Sequence, residues 1–237
     1  MGRIVPAMKI NRTIMHSEQV FANLGKELSA TANAVTAAEI ILNAANELIG
    51  WDACYLILYD PQKGGKPRPL LTIDTADDNF IIQHDAAPDK PSENMLRAIH
   101  DDGFLSLYEE TFSLPASMSF GNHSRRTLSQ LFVPVRSDAH TVGVLSIQSY
   151  QRNAYDTDSL ETLKTLANHC AGALERIWAQ EAASHMAERL KVLYQVTHAI
   201  SASLDMDQLC DAIHHAVENV MPCDDFVIDG YNPERKR

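Results

Sequence analysis

The most reactive side chains in the chain are the thiols of Cys54, Cys170, Cys210 and Cys223. No two of them form the Cys-x-x-Cys spacing that a structural zinc site or a dithiol redox pair requires. Their neighbours are apolar, so each reads as a reduced thiol packed as a small hydrophobe. The histidines are equally unorganised. Adjacent His214 and His215 are expected to point in different helical directions, and no His-Glu-x-x-His, Walker or glycine-rich phosphate loop is present. The acidic pairs Asp101-Asp102 and Asp224-Asp225 flank turns, where carboxylates are normally solvated. No nucleophile, base and orienting residue can be assembled, so the sequence predicts neither a catalytic nor a metal site and no enzyme within this chain.

Charge and hydropathy narrow the classes further. The formal net charge of −11 argues against a nucleic-acid surface, which clusters Lys and Arg to neutralise phosphates. The basic clusters Arg125-Arg126 and Arg235-Lys236-Arg237 are too short to change that. No run of about eighteen apolar residues exists, so no membrane insertion is expected. The amino terminus has no signal-peptide apolar core, and a cytoplasmic location is expected.

The elements that would position any site follow from periodicity. Ile14, Phe21, Leu24 and Leu28 fall at helical spacing, and so do Ile40, Ile41, Ala44, Ala45, Leu48 and Ile49, with Thr36 read as the cap of the second helix and Gly50 as its stop. Trp51 to Tyr59 reads as a strand, a turn follows from Asp60 to Gly65, and Leu70 to Asp74 returns as its hairpin partner. Ile81-Ile82 reads as a short strand. A helix is expected from near Pro91 to about Asp102, ended by Gly103, and then a strand from Phe104 to Tyr108. Residues 109–127 read as a loop with embedded aromatics, a lid or a mobile segment. Leu131 to Val135 and Thr141 to Ile147 make the clearest hairpin. Within it Pro134 predicts an edge or bulged position, and Gly143 a close backbone approach.

From Asp156 to Ser203 the chain reads as one proline-free helix, opened by a capping-box-like Asp158 and Glu161. Leu160, Leu163, Ala167, Cys170, Leu174 and Ile177 form one stripe; the register shifts through Trp178, Ala182, Met186 and Leu190, then resumes at Leu193, Thr197 and Ile200. Sliding the chain against itself explains why the helix is so long. At an offset of 172 residues, Phe21–Pro61 aligns without a gap on Leu193–Pro233, with identities that include Ser29/Ser201, Ile41/Ile213, Asp52/Asp224 and Pro61/Pro233. The helix thus reads as the last of one copy and the first of a second that lacks its sheet.

The order helix, helix, WDACYLILYD, mixed middle, LFVPV, turn, TVGVLSIQS and YDTDSLETLKTLANHCAGALE resembles a GAF domain, a small-molecule sensory module. The likeness is carried most by Val133-Pro134-Val135, Val142-Gly143-Val144-Leu145 and the helix from Asp158 with Leu166-Ala167. It implies an α+β fold: an antiparallel sheet of five or six strands, terminal helices on one face, the ligand pocket on the other, and a long connecting helix. The domains would be a leader at 1–20, a GAF domain at 21–178, a connecting helix at 179–192 and the start of a second, incomplete GAF domain at 193–237. The pocket residues carried over are Tyr55, Ile57, Phe104, Phe112, Phe120, His123, Leu131 and Val133. Which strand face lines the pocket stays open at this stage.

The resemblance also frames function. It implies a bacterial-type sensory module that binds a small molecule or partner and transmits through a dimerising helix, as a homodimer. Two alternatives stand beside it: a redox or cofactor-bearing enzyme or photosensor working through Cys54 or His123, and a purely structural dimeriser. The region from Asn79 to Thr127 has no cysteine, which argues against covalent bilin attachment. Asn153-Ala154-Tyr155-Asp156-Thr157-Asp158 retains Asn and an aromatic of the cyclic-nucleotide signature, Asn-Lys-Phe-Asp-Glu, but lacks the Lys and the acidic pair. The stretch from Ser184 to Leu190 has a superficial likeness to a phosphoacceptor helix without its basic-residue-and-proline continuation, so His185 reads as a surface residue.

Overall fold

Six strands form one antiparallel sheet in the order β3-β2-β1-β6-β5-β4. The computed structural model describes residues 7–62, 66–76, 79–82, 90–108, 126–137, 140–202, 206–221 and 227. In chain order the elements are α1 (Ala7–Ala30), α2 (Ala34–Leu48), β1 (Ala53–Leu58), β2 (Arg68–Ala76), β3 (Asn79–Ile82), α3 (Glu93–His100), β4 (Phe104–Leu107), β5 (Ser129–Ser137), β6 (His140–Ser149), α4 (Thr157–Ala202) and α5 (Met206–Glu218). The chain divides into two compact units, Met1–Ile177 and Trp178–Arg237.

Local chemistry sets the boundaries in the first unit. The cap of α2 is Asn33, whose side chain accepts from the backbone of Val35 and Thr36, rather than Thr36 itself. An Asn three residues earlier offers its carbonyl to the first free N–H groups, and the expected cap is then already inside the helix. Similarly, α4 is opened by Asp156, not Asp158: Asp156 Oδ1 accepts from Ser159 N at 2.9 Å and from Ser159 Oγ at 2.7 Å. These bonds hold the Asp156 carboxyl below its ordinary range. Helix α3 ends as predicted, with Asp102 and Gly103 both at positive φ and Gly103 N bonded to Ala98 O.

The hairpin of β5 and β6 is the spine of the sheet. Strand β1 pairs with β6 from Ala53↔Gln148 to Leu58↔Gly143, and a Cβ at Gly143 would stand 2.4 Å from Ile57 O, so the backbones touch where the glycine predicts. Pro134 behaves in the same way. Strand β4 pairs only with Ser129–Phe132, leaving Pro134 beyond its reach, and the register shifts between Val135 and Arg136 immediately after it.

Alternation along the strands separates two faces. Cys54, Leu56, Leu131, Val133, Leu145 and Ile147 share one and are all buried. A Cβ at Gly103 would meet both Val133 Cγ1 and the Lys164 stem, which puts this face on the side of α4. Opposite them stand the buried Ala37, Ala38, Ile41 and Leu42 of α2 and Leu163, Leu166, Ala167, Cys170, Leu174 and Ile177 of α4. The stripe therefore falls as predicted except that Leu160 is only half-buried. Trp51 Nε1 donates to Leu42 O at 2.9 Å, and Arg176 donates to Leu28 O and Thr31 O, tying the start of β1 to α2 and α4 to α1.

In the second unit, the α4 residues from Gln180 to Lys191 are exposed throughout, including Met186 and Leu190, each 58% exposed. Leu193 and Tyr194 are also exposed. His214 and His215 do not diverge as expected: their rings stack 6.1 Å apart and both reach Glu218 at 3.4 Å, because i+3 and i+4 positions converge on one carboxylate. The helix ends repeat at the offset seen in the sequence: α1 ends at Ala30 and α4 at Ala202, and α2 begins at Ala34 and α5 at Met206. No helix among the described residues is long and apolar enough to cross a membrane.

Candidate ligand-binding face

The second face of the sheet is built differently from the first. Tyr55, Ile57, Phe104, Phe132 and Val144 cluster there with Met95 and Ala98 of α3. Helix α3 reaches this position because Ser92 caps it and because Met95 and Ala98, one helical turn apart, are its buried pair. The aromatic rings are ordered. Phe104 stacks on Phe132 at 4.9 Å, Tyr55 meets Phe132 edge-on at 6.4 Å, and the Arg97 guanidinium covers Phe104 at 4.1 Å. Arg136 fastens the carboxyl end of α3, bonding Asp102 at 2.6 Å and the Ile99 carbonyl.

Beside this cluster the same face turns polar while staying buried. Two rows cross the strands in register: Thr72–Tyr55–Ser146–Phe132–Phe104 and Asp74–Ala53–Gln148–Gln130–Ser106. Thr72, Asp74, Gln130, Ser146 and Gln148 are each at most 4% exposed. Some of their polar atoms are satisfied. Asp74 Oδ1 accepts from Tyr150 Oη and from Thr75 N, both at 2.8 Å, and Gln148 Oε1 accepts from Thr127 Oγ1 at 3.2 Å. Others are not: Gln130 Oε1 is buried with no hydrogen-bond partner. Ser146 Oγ makes no bond of full geometry, although it lies near enough to Tyr55 to offset slightly the burial that drives the Tyr55 phenol far above its ordinary range.

The predicted pocket residues separate accordingly. Tyr55, Ile57 and Phe104 are brought together on the α3 face, whereas Leu131 and Val133 project to the α4 face because they alternate with Phe132. Phe112, Phe120 and His123 lie outside the described residues. Phe132 and the polar row were missed. Part of their signal was available in Ser146-Ile147-Gln148, where polar residues alternate with an apolar one, in a strand that lies inside the sheet and not at its edge; Ser129-Gln130-Leu131-Phe132 has no such alternation.

The thiols are arranged for packing. Cys54 and Cys170 are fully buried; burial pushes the Cys54 thiol well above its usual value and the Cys170 thiol up to about 12. A protonated, enclosed thiol is a poor nucleophile. Tyr155, buried beside Asp52 and Cys54, is likewise pushed up, first by burial and then by those neighbours. Cys210 is partly exposed, and Cys223 lies outside the described residues. Among the described residues, no group of three His, Cys, Asp or Glu side chains is placed to hold a metal ion.

Comparison with known proteins agrees with this architecture. A family model described as the GAF domain matches residues 31–175. The fold is similar to the GAF domain of a protein described as a sensor histidine kinase from Pseudomonas syringae pv. tomato, at 15% identity and a TM-score of 0.54, covering 76% of this chain and 99% of that one. It is similar to free methionine-R-sulfoxide reductase from Neisseria meningitidis, solved with its substrate, at 15% identity and a TM-score of 0.51, covering 69% and 91%. A bacteriophytochrome from the photosynthetic bacterium R. palustris is similar over 92% of this chain and 47% of its own, at 9% identity and a TM-score of 0.59. No curated protein matches the chain.

Proposed function

Because the chain belongs to the GAF domain family, we propose that it is a sensory module that binds a small molecule on the α3 face of its sheet and transmits the bound state along α4. The observation that carries this reading is the buried polar patch around Gln130, Ser146 and Gln148, since an apolar core has no use for an acceptor left without a donor. A ligand that binds better when α4 takes one of two packings shifts the population between them, which is all that transmission needs.

The output half of the proposal rests on α4 and α5. The exposed apolar residues Met186, Leu190, Leu193 and Tyr194 favour pairing with a second copy of the chain, giving a homodimer. The repeated helix ends support reading 193–237 as the start of a second GAF domain, joined to the first by a shared helix. The module itself performs no reaction in this reading, which the buried thiols favour over redox work by Cys54. A bacterial-type signalling protein acting in the cytoplasm is the setting it fits.

A thermal-shift screen of the chain against nucleotides and small metabolites tests the proposal, because a ligand of the native state raises apparent stability by mass action. A concentration-dependent rise that disappears when Ser146→Leu fills the face is the expected result. If every rise survived that substitution, binding would lie elsewhere. For transmission, Ala182→Pro should break α4 in its exposed half and abolish any ligand-dependent change in oligomeric state measured by light scattering.

A further inference from the structure

We infer that the ligand of the α3 face is an uncharged small molecule presenting an amide-type edge, an N–H donor beside a carbonyl or ring-nitrogen acceptor, as in lactams, carboxamides and unphosphorylated nucleobases. The inference rests on the sensory reading above and narrows it.

Gln130 and Gln148 are directly opposed on β5 and β6, so two carboxamides share one spot of the floor. Gln148 Oε1 is occupied by the Thr127 hydroxyl, whereas Gln130 Oε1 receives no donor although Gln130 is only 4% exposed. A carboxamide holds its donor and acceptor in one plane, the geometry by which Gln pairs with the adjacent N6 and N7 of adenine. The missing partner of Gln130 Oε1 is therefore a donor, and an amide-type edge supplies an N–H in the plane in which a carboxamide pairs.

Charge selects among such molecules. The one ionisable carboxylate in the two rows, Asp74, is already engaged by Tyr150 and Thr75, so it is not waiting for a cationic ligand. The guanidinium groups that contact Phe104 or the end of α3 are committed too: Arg97 to Phe104 and Asp101, Arg136 to Asp102 and Ile99. Among the described residues of these rows there is no cation to repay the dehydration of a phosphate or carboxylate.

Isothermal titration of the full chain tests this with two sets of probes. One contains uracil, adenine and nicotinamide; the other contains cyclic AMP, acetate and inorganic phosphate. Binding of at least one neutral probe is expected, weakened at least tenfold in Gln130→Leu, a variant whose thermal midpoint should be unchanged or raised because it removes an orphaned acceptor. Binding confined to the anionic probes would overturn the ligand class and leave the sensory reading standing. Silence with both sets would overturn both, and neutral binding undiminished in Gln130→Leu would remove the ligand from this floor.

Discussion

One sheet carries two faces of opposite character. Against α2 and α4 it presents Cys54, Leu56, Leu131, Val133, Leu145 and Ile147, a surface with no polar side chain among those six. Against α3 it presents an aromatic stack beside Thr72, Gln130, Ser146 and Gln148, equally buried and incompletely bonded. Burial alone therefore does not distinguish a core from a site. What distinguishes them is how their buried polar groups are gathered: the α3 face sets the unpartnered Gln130 Oε1 and Ser146 Oγ on adjacent rows of one floor, whereas the Tyr155 hydroxyl, beside Cys54, is the one other such atom among the described residues.

The comparison breaks if substitutions on the two faces have the same effect on stability. Leu131→Ala, in the fully buried α4 face, should lower the unfolding free energy by about 2 to 5 kcal/mol in urea denaturation. Gly143→Ala forces a Cβ against the Ile57 carbonyl where β6 meets β1 and should cost about 1 to 3 kcal/mol, with loss of the hairpin register visible in backbone NMR shifts. The cap that starts α4 over the first face is a smaller contributor: Asp156→Ala should cost about 1 kcal/mol. Because the folded Asp156 carboxyl titrates below its unfolded value of about 3.9, its contribution is present above that pH and is lost as pH falls through the folded value. Wild type and Asp156→Ala should thus converge in stability in acid. Gln130→Leu, on the α3 face, should change stability least, within about 1 kcal/mol and on the stabilising side.

Much of the scaffold was legible in the residues. Gly143 predicted a close approach, which is observed, and Pro134 an edge or bulged position; Pro134 pairs with Val144 of β6 but lies beyond the reach of β4, beside the register shift at Val135 and Arg136, since a missing Cβ or N–H leaves few other positions in a sheet. The α4 stripe from Leu163 to Ile177 was legible because helical periodicity is a signal repeated over many turns. Caps were harder. Asn33 and Asp156 won over Thr36 and Asp158 because several adjacent residues could each offer an oxygen, and only the helix register chooses among them. Of the candidate site residues, Tyr55, Ile57 and Phe104 converge on one face, while Leu131 and Val133 face the other way. Alternation gives two faces and no sign, so the side had to come from α3. Gln130, Ser146 and Gln148 escaped because polar residues in a strand ordinarily mark its solvent side, and these lie inside the sheet.

The most direct test is an NMR titration of the full chain, labelled at the side-chain amides of Gln and the methyl groups of Leu, Ile and Val, with uracil, adenine, nicotinamide and cyclic AMP. Ligand-induced shifts should appear first at the Gln130 and Gln148 amides and at the Ile57 and Val144 methyls, and should leave Leu131 and Leu145 nearly still at low occupancy. Shifts centred on the Leu131 and Leu145 methyls with the two glutamine amides unmoved would contradict the account.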